Sequence, residues 1–192
     1  LKKQGHLIDS VDIAGPGFVN ITINRAKWHE VIAEVEECGA GFGTSEVGAG
    51  RKVMVEFVSA NPTGPLSVGH GRQAILGDSI ARLLEATGHD VFREYYYNNA
   101  GRQMRVLGRS VQARYLEKLG LEGNFPEDGY QGGYIYDIAD ELFEETGDSL
   151  KDCEDVDPFK KKAEEAIFKD ISSTLKRIDI EFDNYYNEQS LY

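Results

Sequence analysis

The sequence has few of the residues that mark the commonest specialised proteins. Its two cysteines, Cys38 and Cys153, are too far apart for the CxxC spacing of a metal site and too few for a secreted disulfide framework, so both read as structural thiols in a reducing cytoplasm. The longest apolar runs, such as Val53 to Val58, fall far short of the roughly 20 residues a membrane helix needs. No basic, then apolar, then small-residue leader opens the chain, which excludes a visible targeting segment and leaves the cytoplasm as the expected location, with no membrane partner. Positive charge is scarce as well. Lys and Arg number 21 against 33 Asp and Glu, a net charge of -12, which argues against a general nucleic-acid binder because phosphate binding draws on clustered cations.

What is present is enough for one good core. At 192 residues and 41% hydrophobic composition, one main domain with a small appendage is the expectation. Leu1 stands where an initiator methionine would, and Glu188 to Tyr192 carries no helix stop or polar tail, so both ends read as cuts. Phe18 to Ile23 puts Val19, Ile21 and Ile23 on one face of a half-buried strand, after a Gly15-Pro16-Gly17 turn. Asn24 then caps a helix with Trp28, Val31, Ile32 and Val35 as its stripe. Five glycines between Gly39 and Gly50 end it and resemble a linker; their spacing, with no strand before them, does not fit a dinucleotide fingerprint.

From Arg51 the pattern changes. Val53 to Val58 predicts a strand buried on both faces of a parallel sheet. A loop, Ser59 to Ser67, leads into a helix from about Gly69 to Thr87 with Leu76, Ile80, Leu83 and Leu84 inward, stopped by Gly88. A second strand, Val91 to Tyr97, completes a βαβ unit. Three helices follow. Met104, Leu107, Val111 and Tyr115 mark the first, closed by Gly120; Ile135, Ile138, Ala139, Leu142 and Phe143 mark the second, closed by Gly147. Asp157 and Pro158 open the third, with Ala163, Ile167, Ile171, Leu175 and Ile178 facing inward, and Ile180 to Phe182 begins another strand. The fold class is therefore α/β: half of a Rossmann-like parallel sheet with a helical insertion at about 102–175.

The chemistry concentrates in Glu56 to Arg72, EFVSANPTGPLSVGHGR. A carboxylate within an apolar strand needs a cation beside it, or else faces water at a strand edge. Gly69-His70-Gly71 opens a helix just past the strand's carboxyl end, where open α/β sheets bind ligands and a helix N-terminus offers N-H groups to phosphate. His70 alone also fits an ordinary helix cap.

Together these residues resemble the signature of bacterial arginyl-tRNA synthetases, a class I family with a HIGH-type nucleotidyl transferase fold. The similarity continues through ARLLEATGHDVFREYYYNNAGRQ and YQGGYIYDIADEL to EFDNYYNEQSLY. It also reaches back to AGPGFVNI, which resembles the end of that family's N-terminal additional domain. The resemblance implies residues 1–24 as the tail of that domain, 25–50 as helix and linker, and 51–192 as the first half of the catalytic domain. It implies that Glu56, Ser59 and Asn61 contact L-arginine, and that Pro65, Ser67, Gly69 and His70 meet ATP, with Gly69 and His70 as the catalytic pair. Mg2+ would accompany ATP without dedicated protein ligands, no metal being expected on the protein itself, and the partners would be L-arginine, ATP and tRNA(Arg), on a monomer.

Two departures stand out. Ser67 replaces the first histidine of HIGH, and Asn99 replaces the usual aspartate of an NDAG segment. No KMSKS-type loop occurs; Lys160-Lys161-Lys162 reads as a solvated helix face. The all-helical anticodon-binding domain is absent too, so the isolated chain is expected to be inactive and most tRNA contacts to lie elsewhere. A standalone arginine- or nucleotide-binding module and a different HIGH-type enzyme, such as a cysteinyl- or glutamyl-tRNA synthetase, are the competing readings. Glu56 suits a cationic substrate and disfavours the latter.

Overall fold

The computed structural model describes residues 6–191; Leu1 and Tyr192, on which the reading of the ends rests, lie outside them. Residues up to Ser45 form one compact unit and those from Glu46 another.

In the first unit β1 (Ile8–Ala14) pairs antiparallel with β2 (Phe18–Ile23). Gly15 and Gly17 take positive φ in the turn between them, which glycine does without a Cβ penalty. β1 has no clean apolar alternation and was not legible as a strand. Asn24 caps α1 (Arg25–Cys38) as expected, its side chain accepting from the Ala26 N–H at 2.9 Å. The burial expected here is absent, however. Val19, Ile21 and Ile23 are exposed, and so is the stripe from Trp28 to Val35, because a two-stranded ribbon and one helix enclose too little volume for a core.

The second unit is built on a parallel sheet, β3 (Lys52–Glu56), β4 (Asp90–Tyr97) and β5 (Asn184–Asn187), in that spatial order. Glu56 stands opposite Glu94, and Glu94 opposite Asn184. β5 starts later than the sequence pattern suggests: Ile180 is buried and Phe182 packs on Tyr95, but both belong to the loop before the strand.

β3 is not buried on both faces. Val53 and Val55 are half-buried, while Met54 and Phe92 on the opposite face are exposed. The helix α2 (Val68–Ala86) covers the first of these faces, and it does so with small residues. Ala74, Gly77, Asp78 and Ala81 are its buried positions; Leu76, Ile80 and Leu83, expected inside, are exposed. Close approach explains the reversal. A Cβ built on Gly77 would lie 2.2 Å from the Phe57 ring, so only glycine lets helix and strand meet there.

A buried carboxylate does meet cations in this interface, but it is Asp78, not Glu56. Arg82 donates to Asp78 at 2.6 Å, and Arg93 of β4 lies 3.6 Å from it while also pairing with Glu85 at 2.6 Å. The Arg93 hydrogen bond holds the Glu85 carboxyl below its ordinary value.

The helices α3 (Gly101–Lys118), α4 (Gly133–Thr146) and α5 (Asp157–Lys176) pack on one another as their spacing predicts. Met104, Leu107, Val111, Tyr115, Ile135, Ile171 and Leu175 are sealed from solvent. Ile178 lies past the end of α5 and is exposed. Lys161 is solvated, but Lys160 pairs with Asp157 and Lys162 ties α5 to Glu141 and Glu145 of α4, so the triple lysine is only partly a solvent face.

Gly77→Ala is expected to destabilise the chain by about 1–3 kcal/mol through overpacking against Phe57. Urea unfolding checks this, and an unchanged midpoint would contradict the packing described.

Candidate active site

β3 ends at Glu56, and the chain then turns sharply. Val58 and Ser59 both adopt positive φ, 64° and 43°. For a β-branched valine this is a true outlier, and residues in such regions cost on the order of 1–3 kcal/mol each unless their surroundings hold them. The holding groups come from β4 and the helices. The Tyr95 hydroxyl donates to the Ala60 carbonyl at 2.8 Å and accepts from the Ala60 N–H at 3.2 Å. Tyr95 is sealed from solvent, and burial pushes its phenol well above the usual tyrosine range, so it stays a neutral donor. Tyr134 donates to the Thr63 carbonyl at 2.7 Å, and Pro62 is fully buried.

The three residues tied to arginine by the resemblance do not stand alike. Glu56 is exposed at the strand's end, and its Oε1 accepts from the Ser59 hydroxyl at 2.7 Å. Ser59 Oγ in turn accepts from the Tyr96 N–H at 3.2 Å. No cation pairs with Glu56 among the described residues; of the two arrangements the sequence left open, the carboxylate takes the one that faces water at the strand's end. The parallel strand alternates, which places Glu56 on the open face with Met54. Glu56 and Ser59 share a cavity of about 360 Å3 with Gln73, Leu76 and Ile80. Asn61 does not line it. Its Oδ1 accepts from the Asn98 N–H at 3.0 Å and its Nδ2 donates to Gln103 at 3.0 Å, so both ends of the amide brace the loop against the end of β4.

Ser67 and His70 form a reciprocal cap on α2. Ser67 Oγ accepts from the His70 N–H at 3.4 Å, and His70 Nδ1 accepts from the Ser67 N–H at 3.1 Å. Because Nδ1 is the acceptor, neutral His70 carries its proton on Nε2. The capping and donor readings of this histidine are therefore compatible: one ring nitrogen fixes the ring, and the other remains a donor beside the helix N-terminus. Gly69 and Pro65 are exposed at the same end, and a Cβ on Gly69 would meet only Ser67 Oγ at 3.5 Å, ordinary contact, which leaves the backbone open to a ligand.

Sequence reasoning missed Gln73 and Gln103. Gln73 lies three residues past His70, a spacing that puts both on one helix face and could have flagged it. Nothing local marks Gln103, which reaches Asn61 across 42 positions.

The family model described as tRNA synthetases class I (R), catalytic domain, matches residues 40–191. The chain belongs to the class I arginyl-tRNA synthetase family. It is 74% identical over 186 residues to an arginine–tRNA ligase of Desulfotalea psychrophila, covering 97% of the chain and 34% of that relative. It is 50% identical to the arginine–tRNA ligase of Chlorobium phaeovibrioides, covering 98% and 35%. A solved Campylobacter jejuni structure described as an arginyl-tRNA synthetase superposes with a TM-score of 0.80 at 33% identity, over 88% of this chain and 38% of that one. The chain thus spans about a third of the length of the curated relatives it matches.

Tyr95→Phe is expected to leave both polar groups of Ala60 unmet and cost about 1–3 kcal/mol. Amide exchange should accelerate at Ala60 and its neighbours. Unchanged exchange there would show that the loop is held by other means.

Proposed function

We propose that this chain works as the first half of the catalytic domain of an arginine–tRNA ligase, residues 51–192 carrying the half-site and residues 1–24 ending an N-terminal additional domain, with 25–50 between them. In the full-length protein, L-arginine is activated with ATP and attached to tRNA(Arg). The observation that carries this reading is the accessible Glu56 carboxylate, oriented by Ser59 at the carboxyl end of a parallel strand, one loop away from an α2 N-terminus that presents His70 Nε2.

The assignments follow from what each group can do. A guanidinium stays charged in a protein and presents a fork of donors, so a carboxylate held in one orientation is its natural partner. Glu56 receives that end of arginine, with Ser59 fixing the carboxylate. Asn61 reaches the substrate by giving up its exposed Gln103 partner while keeping the loop tied to Asn98. The arginine carboxylate oxygen then attacks the α-phosphorus of ATP, the bond to the bridging oxygen breaks, and pyrophosphate leaves. His70 Nε2 and the first-turn N–H groups of α2 stabilise the charge developing on the phosphate oxygens. Gly69 and Pro65 allow close approach of the nucleotide. Ser67 acts mainly through its cap on His70, which partly offsets the loss of the first HIGH histidine.

Magnesium would enter with the ATP phosphates. Among the described residues no three His, Cys, Asp or Glu side chains gather to hold a metal, and no protein ligand is assigned to it. The enzyme is proposed to be a cytoplasmic monomer. No helix among the described residues is long and apolar enough to cross a membrane.

The test is aminoacylation by the full-length protein with arginine, glutamate and cysteine each offered with total tRNA, the 192-residue chain run alongside. Arginine alone should be charged, and the isolated chain should charge nothing. Charging of another amino acid, or of none by an intact parent, would overturn the assignment. In the same protein Glu56→Gln should weaken arginine much more than ATP; equal losses would remove Glu56 from the arginine site.

A further inference from the structure

Within YQGGYIYDIADEL, Ile135, Ile138, Ala139 and Leu142 are core residues of α4, but Tyr134 does more than pack. Its ring lies against the core, while its hydroxyl leaves the helical layer and donates to the Thr63 carbonyl at 2.7 Å, in the loop between β3 and α2. Two glycines leave room for that contact. A Cβ on Gly64 would lie 2.9 Å from the Tyr134 hydroxyl oxygen and 3.1 Å from the ring carbon that bears it, and a Cβ on Gly132 would overlap the ring. A side chain at either position would therefore push Tyr134 off Thr63.

The start of α4 is itself held. The Tyr130 N–H donates at 3.0 Å to Ser110 of α3, which is sealed from solvent, and the Ile135 N–H closes on the Gly132 carbonyl at 3.0 Å. Burial pushes the Tyr134 phenol above its ordinary value, so it stays a neutral donor.

The loop thus has two separate anchors. Tyr95 holds Ala60, and Asn98 with Gln103 holds Asn61, on the side proposed for arginine. Residues 63–66 lead to the α2 cap at Ser67, on the side proposed for ATP. Leu66 packs on the core, and the Thr63 N–H is met within the loop by the Asn61 carbonyl at 2.7 Å. Among the described residues, the Tyr134 hydroxyl makes the only hydrogen bond that reaches 63–66 from outside the loop.

We propose that Tyr134 is a positioning residue for the nucleotide: by holding the Thr63 carbonyl and covering Gly64, it keeps Pro65 and the start of α2 where ATP meets them. The helical insertion then takes part in the reaction through one hydroxyl, because small displacements of a ligand-contacting group weaken the complex. The inference rests on the ATP contacts proposed above for Pro65, Ser67, Gly69 and His70.

The experiment measures the dissociation constants of magnesium ATP and of L-arginine by titration calorimetry in the full-length protein, as wild type, Tyr134→Phe, Gly64→Ala and the double variant. Phe keeps the ring on the core, and Thr63 is only half-buried, so water can meet its carbonyl and the fold survives the change. Tyr134→Phe is expected to bind ATP about fivefold more weakly, the worth of one hydrogen bond, with arginine unchanged. Gly64→Ala crowds the same hydroxyl and should weaken ATP too; the double variant should lose less than the product of the single losses, since bond and clash share one oxygen. Unchanged ATP affinity in Tyr134→Phe overturns the proposal. Equal losses for ATP and arginine also overturn it, because they mark a merely structural contact, and so do losses that simply multiply in the double variant. Glu56→Gln reports separately on the proposed function. A selective loss of arginine there, with ATP unaffected in Tyr134→Phe, overturns this inference alone, and a wild type that binds neither ligand overturns both readings.

Discussion

One buried phenol holds the active-site loop in place. Tyr95 satisfies both backbone polar groups of Ala60, immediately after two residues whose positive φ the chain would not otherwise keep. Its ring also packs against Phe168 of α5 and against Phe182 and Tyr185 near β5, so the same side chain joins the loop to the helical layer. Strain at Val58 and Ser59 is affordable because the anchor is neutral, buried and rigid on a central strand. Tyr95 thus fixes the backbone at Ala60, immediately after the Ser59 hydroxyl that bonds Glu56 and at the start of the loop that leads into α2.

That arrangement separates two kinds of polar work. Asp78, inside the helix–sheet interface, takes the ion pairs that stabilise the fold, from Arg82 and Arg93. Glu56, outside it, has a serine partner and pairs with no cation among the described residues, as its proposed role with a cationic substrate asks. The sequence left Glu56 either beside a cation or facing water at a strand edge; the strand's alternation turns it to the open face, in keeping with the proposed arginine role. The His70 ring shows the same economy, with one nitrogen spent on the cap and the other left to donate.

Much of this was legible before the structure. The helix periods at Met104 to Tyr115, Ile135 to Phe143 and Ala163 to Leu175 named core residues correctly, because large side chains at 3.6-residue spacing decide which way those helices face. The same reasoning failed for most of α2, where Ala74, Gly77 and Ala81 are buried, Leu76, Ile80 and Leu83 are exposed and only Leu84 of the expected stripe is half-buried: close packing selected small residues, and size alone pointed the wrong way. β1 was missed because Asp9, Ser10 and Asp12 break its alternation. In the site, the loop from Glu56 to Arg72 was recognisable as a motif, but the bracing of Asn61 by Asn98 and Gln103 was not, since contacts across 37 and 42 positions leave no local trace.

The most direct test of the account is a crystal structure of the full-length protein with a non-hydrolysable arginyl-adenylate analogue. The guanidinium should lie against the Glu56 carboxylate, with Ser59 still bonded to it, and the phosphate within hydrogen-bond reach of His70 Nε2 at the start of α2. An analogue bound with its guanidinium away from Glu56, or with its phosphate away from α2, would contradict the role given to the loop that Tyr95 holds.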